Sequence, residues 1–282
     1  MRTLLNAMKM KYLYALIIIS SLTSCVNVFK ISDLRTDLVK LAPDEIKGKR
    51  LITEMGIAHQ INNWKKIETY SVNFNDEFYG IVGKNSHPFS ENKINFKLDY
   101  IAKSFDGKLT LKSGKKKGEI WGIQSWKTYF KKKDKNPKYK KNKDTKFWLP
   151  TYQYFIEFPN RIQEANKFVY AGDSLINNIH CEGILVSWNK TSPQKKIDQY
   201  LIWVNKDSKR IVKLEYTIRE YYKFLTGAVY FNDYKDYNGI IIPASLPVES
   251  NLTPKKLLHK MTITDFVPNK VSKKEILLQI EE

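Results

Sequence analysis

Cysteine is nearly absent from the sequence, whose 282 residues contain two, Cys25 and Cys181. If Cys25 is modified, Cys181 has no partner within the chain and no disulfide framework can form. The CxxC and paired Cys/His spacings of zinc sites are also missing. The four histidines are scattered, and none stands in an HExxH spacing. The sequence therefore predicts no metal site, and Cys181 is expected to be a small buried residue of a strand.

Recognisable catalytic motifs are also lacking. The GxSxG, P-loop and GxGxxG patterns do not occur. His180 and Cys181 are adjacent on a predicted strand, where neighbouring side chains point to opposite faces, so His180 is poorly placed to act as the base for the thiol. We predict that the protein is not an enzyme and uses no cofactor. The alternative, an envelope hydrolase, would need a cleft in which a carboxylate or His180 meets a nucleophile.

No hydrophobic run is long enough to span a bilayer, for which a helix needs about 20 apolar residues. The apolar run Tyr12–Leu22 is about half that length. It follows three basic residues and leads into Leu22-Thr23-Ser24-Cys25. A basic region, a short apolar region and a small-residue cleavage site together predict a secretory signal peptide over residues 1–24.

The residues before Cys25 resemble a bacterial lipobox, in which an aliphatic residue and two small residues precede a cysteine. The resemblance implies that Cys25 carries a diacylglycerol and acyl chains such as palmitate, and that the protein is held to a membrane through this N-terminal lipid. The alternative is an ordinary cleaved signal followed by a chance cysteine. No acidic cluster follows at Val26, which in lipoproteins generally is compatible with retention in the outer membrane, facing the periplasm. Residues 25–42 are predicted to be the lipidated cysteine and a solvated tether.

Acidic residues are scarce beside basic ones, with 29 against 48 and a net charge of +19. The excess is local, because fifteen lysines and three acidic residues lie between Lys108 and Lys146. Tyr139 is the only aromatic residue in the densest part, 131–146, so base stacking is not favoured and no nucleic-acid partner is predicted. The segment is interpreted as a solvated insertion or, alternatively, as a contact with an anionic envelope surface.

The sequence does contain regular alternation of apolar and polar residues, interrupted by two helical stretches. We predict helices over Pro43–Asn62 and Phe147–Phe158, the second strongly aromatic and ended by Pro159. The pattern predicts strands at 70–74, 94–102, 109–111, 120–130, 167–171, 176–188, 199–205, 212–218, 227–233, 240–246 and 257–266, with a turn at 172–173. These elements predict a mainly β fold, a curved antiparallel sheet that forms an open half-barrel around helices, in a single domain over 43–282.

The paired segments Asp198–Lys206 and Ile211–Glu220 resemble those of small Bacteroidetes lipoproteins of unassigned function in the LolA/LolB-like half-barrel superfamily. Tyr170-Ala171-Gly172 and Gly239–Pro243 are similar to this group as well. In the superfamily a curved sheet wraps a hydrophobic cavity closed by helices, and the better-known members carry lipoprotein acyl chains. The resemblance implies a LolA/LolB-like fold and a ligand class, and no individual site residue. The lysine-rich insertion departs from the compact family pattern.

Inward-facing residues of the predicted strands and the aromatic face of the second helix form a candidate ligand cavity. They are Tyr70, Val72, Phe74, Phe96, Leu98, Tyr100, Trp148, Tyr152, Phe155, Leu214, Tyr216 and Ile218. The same residues would serve a dry core. Two functions follow: an envelope lipoprotein that binds a hydrophobic or acylated ligand in its concave sheet, or a structural lipoprotein with a filled core that contacts envelope polymers or proteins through its basic segment. Helix Trp148–Phe158 is the candidate lid.

Overall fold

The computed structural model describes residues 29–35, 41–219 and 222–280. The predicted signal peptide and Cys25 lie outside the described residues. The helices are α1 Ile31–Leu34, α2 Leu41–Ala58, α3 Ile61–Trp64, α4 Gly80–Asn85, α5 Lys143–Arg161 and α6 Lys273–Ile276, with a 3₁₀ turn at Ile162–Glu164. The strands are β1 Thr69–Phe78, β2 Lys93–Ile101, β3 Gly107–Leu111, β4 Ile120–Gln124, β5 Lys127–Lys131, β6 Lys138–Tyr139, β7 Lys167–Ile176, β8 Ile179–Ser187, β9 Tyr200–Asn205, β10 Ile211–Ile218, β11 Tyr222–Tyr230, β12 Asn232–Asp236, β13 Ile241–Ser250 and β14 Leu257–Pro268.

All these strands belong to one antiparallel sheet, which confirms the predicted fold class. The order is β6-β5-β4-β3-β2-β1-β14-β13-β11-β10-β9-β8-β7, and β12 pairs with β13. The sheet is curved and unclosed, so β6 and β7 are its two edge strands. Helix α2 covers the β7 edge. There Gly48 lies so close that a Cβ would be 2.8 Å from the backbone carbon of Phe168, and only glycine permits this approach.

Because neighbouring strands run in opposite directions, the loops gather at two rims. The first rim carries the connections 79–92, 112–119, 132–137, 188–199 and 251–256. The second rim carries 102–106, 125–126, 177–178, 206–210 and 237–240.

Four strand glycines each lie beneath an aromatic ring of the residue paired with them on the next strand. The pairs are Gly107 with Tyr100, Gly122 with Tyr129, Gly183 with Trp203 and Gly227 with Tyr216. At Gly122 a Cβ would lie 2.1 Å from the Tyr129 ring. The missing side chain therefore makes room for a ring lying flat on the strand, an arrangement that favours local bending of a sheet.

The sheet has an apolar core on each face at β9, as its two-sided apolar sequence predicts. Ile202 and Val204 join the large core on the inner, concave face. Leu201 and Trp203 join a smaller core on the outer face. The smaller core also contains Cys181, which is fully buried.

The N-terminal segment Phe29–Arg35 covers this outer core instead of remaining solvated as predicted. Phe29, Ile31 and Leu34 pack against it. The backbone N–H of Phe29 donates to Gln199 Oε1 (3.1 Å), and Gln199 Nε2 donates to the Phe29 carbonyl (2.9 Å). Arg35 pairs with Asp44 at 2.9 Å. Apolar side chains every two or three residues drive this docking, because an uncovered outer core would remain in water.

Helix boundaries differ from the predicted ones at three points. Helix α2 ends at Ala58, and Gln60, in the left-handed conformation at φ 55°, separates it from α3. Helix α5 begins four residues before Phe147, where the Asn142 side chain accepts from Thr145 N–H (2.9 Å) and caps it. It also continues past Pro159 to Arg161, because burial of its last turn outweighs the lost backbone hydrogen bond.

The lysine-rich stretch is more ordered than a solvated insertion. Part of it belongs to β5 and β6, and its end forms the first turn of α5. The predicted strand 120–130 is a hairpin that turns at Ser125 and Trp126, both with positive φ. Strand β7 continues through Gly172, where a bulge with φ 97° takes the place of the predicted turn, and the chain reverses at Asn177-Asn178.

Candidate functional site

Helix α5 lies across the inner face of the sheet. The Tyr100 hydroxyl, on β2, donates to the Leu149 carbonyl (2.8 Å), and the Tyr152 hydroxyl donates to Asp76 on β1 (2.8 Å). Further along, the Phe155 ring lies 5.3 Å from that of Tyr216 on β10. The helix thus crosses from the β4–β5 side to the β9–β10 side.

The structure brings most of the predicted cavity residues into one cluster with α5. Ten of the twelve are buried: Tyr70, Val72, Phe74, Phe96, Leu98, Tyr100, Trp148, Tyr152, Phe155 and Leu214. Tyr216 is partly exposed and packs against them. Ile218 is partly exposed and lies outside the cluster, because a register irregularity between Thr217 and Ile218 interrupts the alternation. Side chains of α5 therefore occupy the concave face, as in the filled-core alternative.

A buried polar row on α5 was not identified from the sequence. Glu157 Oε1 accepts from the Tyr70 hydroxyl (2.8 Å) and from Gln153 Nε2 (2.8 Å), and Oε2 accepts from Lys103 N–H (3.1 Å). Arg161 Nε lies 2.9 Å from Glu157 Oε2. Burial raises the pKa of Glu157, although the Arg161 guanidinium opposes the shift. The spacing of four between residues 153, 157 and 161 is the signal that could have revealed this row.

A second buried group joins the helix to the first rim. His259 Nδ1 lies 2.8 Å from Asp76 Oδ1, and Tyr152 occupies the other oxygen of that carboxylate. The His259 ring stacks on Phe78, with centroids 5.1 Å apart. The hydrogen bonds described for His259 include no hydroxyl or thiol, so the geometry resembles a structural pair more than a catalytic one.

The other candidate chemistry is equally restricted. Burial raises the pKa of the Cys181 thiol to about 11, which leaves it protonated and a weak nucleophile, while His180 is exposed. Within the described residues, no group of three or more His, Cys, Asp or Glu side chains could hold a metal ion. In the same residues, no helix has both the length and the apolar content needed to cross a bilayer.

Comparison of the sequence with family models and with curated proteins gives no match. Solved structures do match. A putative outer membrane lipoprotein-sorting protein domain from Vibrio parahaemolyticus aligns with a TM-score of 0.52 at 12% identity, over 81% of this chain and 95% of that one. A LolA superfamily protein from Nitrosomonas europaea aligns with a TM-score of 0.50 at 8% identity, over 82% and 97%.

The chain has a LolA/LolB-like fold. A DUF1329 family protein from Desulfovibrio piger shares it, with a TM-score of 0.50 at 10% identity, over 81% of this chain and 95% of that one. At these identities the likeness extends to the fold alone, and it confirms the LolA/LolB-like fold that the resemblance implied. In this LolA/LolB-like chain the inner face of the sheet is apolar; α5 lies across it, and α2 adds Leu51, Ile52 and Met55 to the same core.

Proposed function

We propose that this protein is a membrane-anchored envelope lipoprotein that binds an acyl chain or another hydrophobic ligand on the inner face of its sheet. The observation that carries the proposal is the continuous apolar inner face across which the aromatic helix α5 lies. On this proposal the structure represents the closed form, in which aromatic side chains of α5 take the place of the ligand. The solved structures of this fold include one described as lipoprotein-sorting, which agrees with the ligand class.

Helix α5 has features of a displaceable lid. Pro150 and Pro159 each remove a backbone hydrogen bond inside it. Burial raises the pKa of Glu157, so closure disfavours the charged form of this carboxylate, and opening would return it to water. A bound acyl chain would supply the free energy needed to displace α5, since each buried methylene contributes about 0.8 kcal/mol and a sixteen-carbon chain contributes roughly 12 kcal/mol.

The N-terminal segment supports attachment to a membrane at the first rim. Phe29, the first residue that the structure describes, contacts Gln199 there, so a lipid on Cys25, four residues earlier in the sequence, would be expected near that rim. The same rim exposes Ile81 (83%) and Leu252 (51%). Exposed apolar side chains beside an anchor are suited to contact with a bilayer, because insertion removes their surface from water.

The second candidate is a lipoprotein with a permanently filled core that acts through its surface. It is favoured by the burial of ten predicted cavity residues, seven on strands and three on α5 itself, and by the lysines on β5, β6 and the start of α5. The two candidates differ in whether the inner face ever opens.

Photolabelling of the full-length protein in neutral detergent with a diazirine fatty acid distinguishes them. The acyl-binding proposal predicts labelled peptides from β1, β2 and β10. Tyr152→Phe removes the hydroxyl that holds α5 to Asp76, a hydrogen bond to a charged group that contributes about 1.5 kcal/mol or more, so labelling should rise about tenfold. Tyr139→Phe, on the surface, is the matched control. Labelling restricted to exposed residues, and unchanged in Tyr152→Phe, would leave the filled-core candidate.

A further inference from the structure

A cavity of about 350 Å³ lies on the second rim, between the β4–β5 turn, β6 and the start of α5. This volume is at the lower end of the range for small-ligand sites, about 300–1,000 Å³. We call it the lysine pocket, and it is lined by Trp126, Lys127, Thr128, Tyr139, Lys140, Lys141, Asn142, Lys143 and Lys146. It does not overlap the inner face, so it is independent of the acyl-binding proposal.

Positive charge in the lysine pocket is not balanced by the protein. Five of the nine lining residues are lysines, all exposed. Within the described residues none of the five forms an ion pair, whereas ten lysine and arginine side chains elsewhere in the same residues do so with carboxylates. Like charges gathered without a counter-charge repel one another, and an anionic ligand would relieve that repulsion.

Two aromatic rings form apolar walls beside the lysines. Trp126 is 53% exposed and Tyr139 37% exposed, which is unusual for rings of this size. The Lys146 ammonium lies 5.7 Å from the Trp126 ring centroid, and the Lys127 ammonium lies 5.4 Å from that of Tyr139. A ligand that carries both a negative group and a flat or hydroxylated moiety would use both kinds of wall.

The backbone that carries the lysines is held in place before any ligand arrives. Thr128 Oγ1 donates to the Lys140 carbonyl (2.5 Å) and accepts from Asn142 N–H (3.0 Å). The Asn142 side chain in turn caps α5 through Thr145 N–H. Three consecutive connections therefore fix residues 140–145 against β5, which lowers the entropy lost on binding.

We propose that the lysine pocket binds a phosphate-bearing headgroup, with the phosphate between the lysine ammonium groups and the adjoining glyceryl or sugar moiety against Trp126 and Tyr139. Phosphate suits a cavity lined by several lysines because it concentrates charge and several acceptor oxygens in a small volume. The headgroup belongs either to a lipid or to a free phosphate ester, and binding assays separate the two sources.

Calorimetric titration of the full-length protein in neutral detergent tests the proposal with three probes: glycerol 3-phosphate, dihexanoyl phosphatidylglycerol and, as a zwitterionic control, dihexanoyl phosphatidylcholine. Saturable binding of either anionic probe, at least tenfold tighter than the zwitterion, is expected. Equal binding of both anionic probes identifies the free ester as sufficient, and binding of the lipid alone identifies a lipid headgroup. Absence of binding by both would overturn the proposal.

Matched triple variants show whether binding occurs in the pocket. Lys140→Gln/Lys141→Gln/Lys143→Gln removes three lining charges, and Lys132→Gln/Lys133→Gln/Lys135→Gln removes three from the neighbouring loop on the first rim. The first should weaken binding at least tenfold, and the second less than threefold. All six side chains are exposed, so both proteins should retain the wild-type melting curve. Equal weakening would indicate diffuse attraction to a basic surface and would contradict a pocket.

Discussion

At the scale of single residues, His59 is the clearest source of pH dependence. It is fully buried at the end of α2, and its Nε2 accepts from Ile211 N–H (3.1 Å). Burial lowers its pKa to about 3, and the nearby Arg210 adds to the shift. The ring therefore stays neutral in the folded protein at pH values where the unfolded chain, with a pKa of about 6.5, binds a proton.

We predict that the free energy of unfolding falls as the pH drops from about 6.5 towards 3, with His59 alone contributing about 1.4 kcal/mol per pH unit. His59→Gln supplies an uncharged acceptor for Ile211 N–H and should flatten this slope. Urea unfolding at several pH values measures it. A slope unchanged in His59→Gln would mean that other groups control acid sensitivity.

The buried Glu157–Arg161 pair gives a second prediction at this scale. Glu157→Leu leaves the Arg161 guanidinium and Lys103 N–H without the carboxylate, and we expect a loss of about 3–5 kcal/mol in the free energy of unfolding. Glu77→Leu breaks an exposed pair with Lys93 and should cost under about 1 kcal/mol. Chemical denaturation compares the two, and similar losses would contradict a special role for the buried row.

The sequence predicts the burial of single residues correctly where apolar and polar residues alternate regularly along a strand. Tyr70, Val72 and Phe74 alternate without interruption and all lie in the core. The prediction fails at Ile218, because a bulge depends on the neighbouring strand and leaves no local signal. The sequence does not predict the polar row on α5 for a related reason. Charged residues such as Glu157 and Arg161 are expected to be exposed to solvent, and their burial follows only from the packing of the helix on the sheet.

At the scale of elements, the glycine–aromatic pairs predict a specific coupling. Gly122→Ala places a methyl group against the Tyr129 ring and should destabilise the protein by about 1–3 kcal/mol. In a Tyr129→Leu background the same change should cost much less, since the ring is gone. A double-mutant cycle measured by thermal unfolding gives the coupling, and additive effects would argue that the pair is not in contact.

The docked N-terminal segment Phe29–Arg35 predicts how readily the Cys181 thiol reacts. Cys181 lies in the outer core against which Ile31 and Leu34 pack, so it should resist maleimide in the native protein. Ile31→Glu/Leu34→Glu should detach the segment and make Cys181 reactive, as read by peptide mass mapping. Ser32→Glu/Asp33→Asn, on the exposed side of α1, is the control and should leave Cys181 protected.

Elements with strong local signals are predicted well, and those that depend on partners are not. Asparagine adopts positive φ readily, so Asn177-Asn178 is a local turn signal that the predicted turn at 172–173 overlooked, whereas Ser125 and Trp126 give no such signal for the hairpin that they form. The lysine stretch was predicted to be a loop because its many charges favour a solvated segment, and the helix cap at Asn142 was not recognised among them. The docking of Phe29–Arg35 depends on a core formed by residues more than 130 positions away in the sequence.

At the scale of the whole molecule, the rims give a prediction about orientation. With Cys25 lipidated, the four residue steps to Phe29 span at most about 14 Å, so the first rim must lie near the bilayer. Lys190→Cys on the first rim and Asn177→Cys on the second provide labelling sites in a protein whose Cys181 is buried. In vesicles, spin-labelled lipids should quench a dye at 190 much more than one at 177. Equal quenching would contradict this orientation.

The antiparallel register also separates the two ends of the molecule. Phe29 sits at the first rim and the lysine pocket at the second, and the strands beside them, β9 and β5, have six and five residues, which span about 20 Å and about 17 Å. A domain held at Cys25 would place its cationic pocket on the side facing away from the anchoring leaflet, about two Debye lengths from that leaflet's surface charge. The lipoprotein would then act as a spacer. Its first rim would stay at its own membrane, and its cationic pocket would be accessible to anionic molecules or surfaces on the opposite side of the compartment.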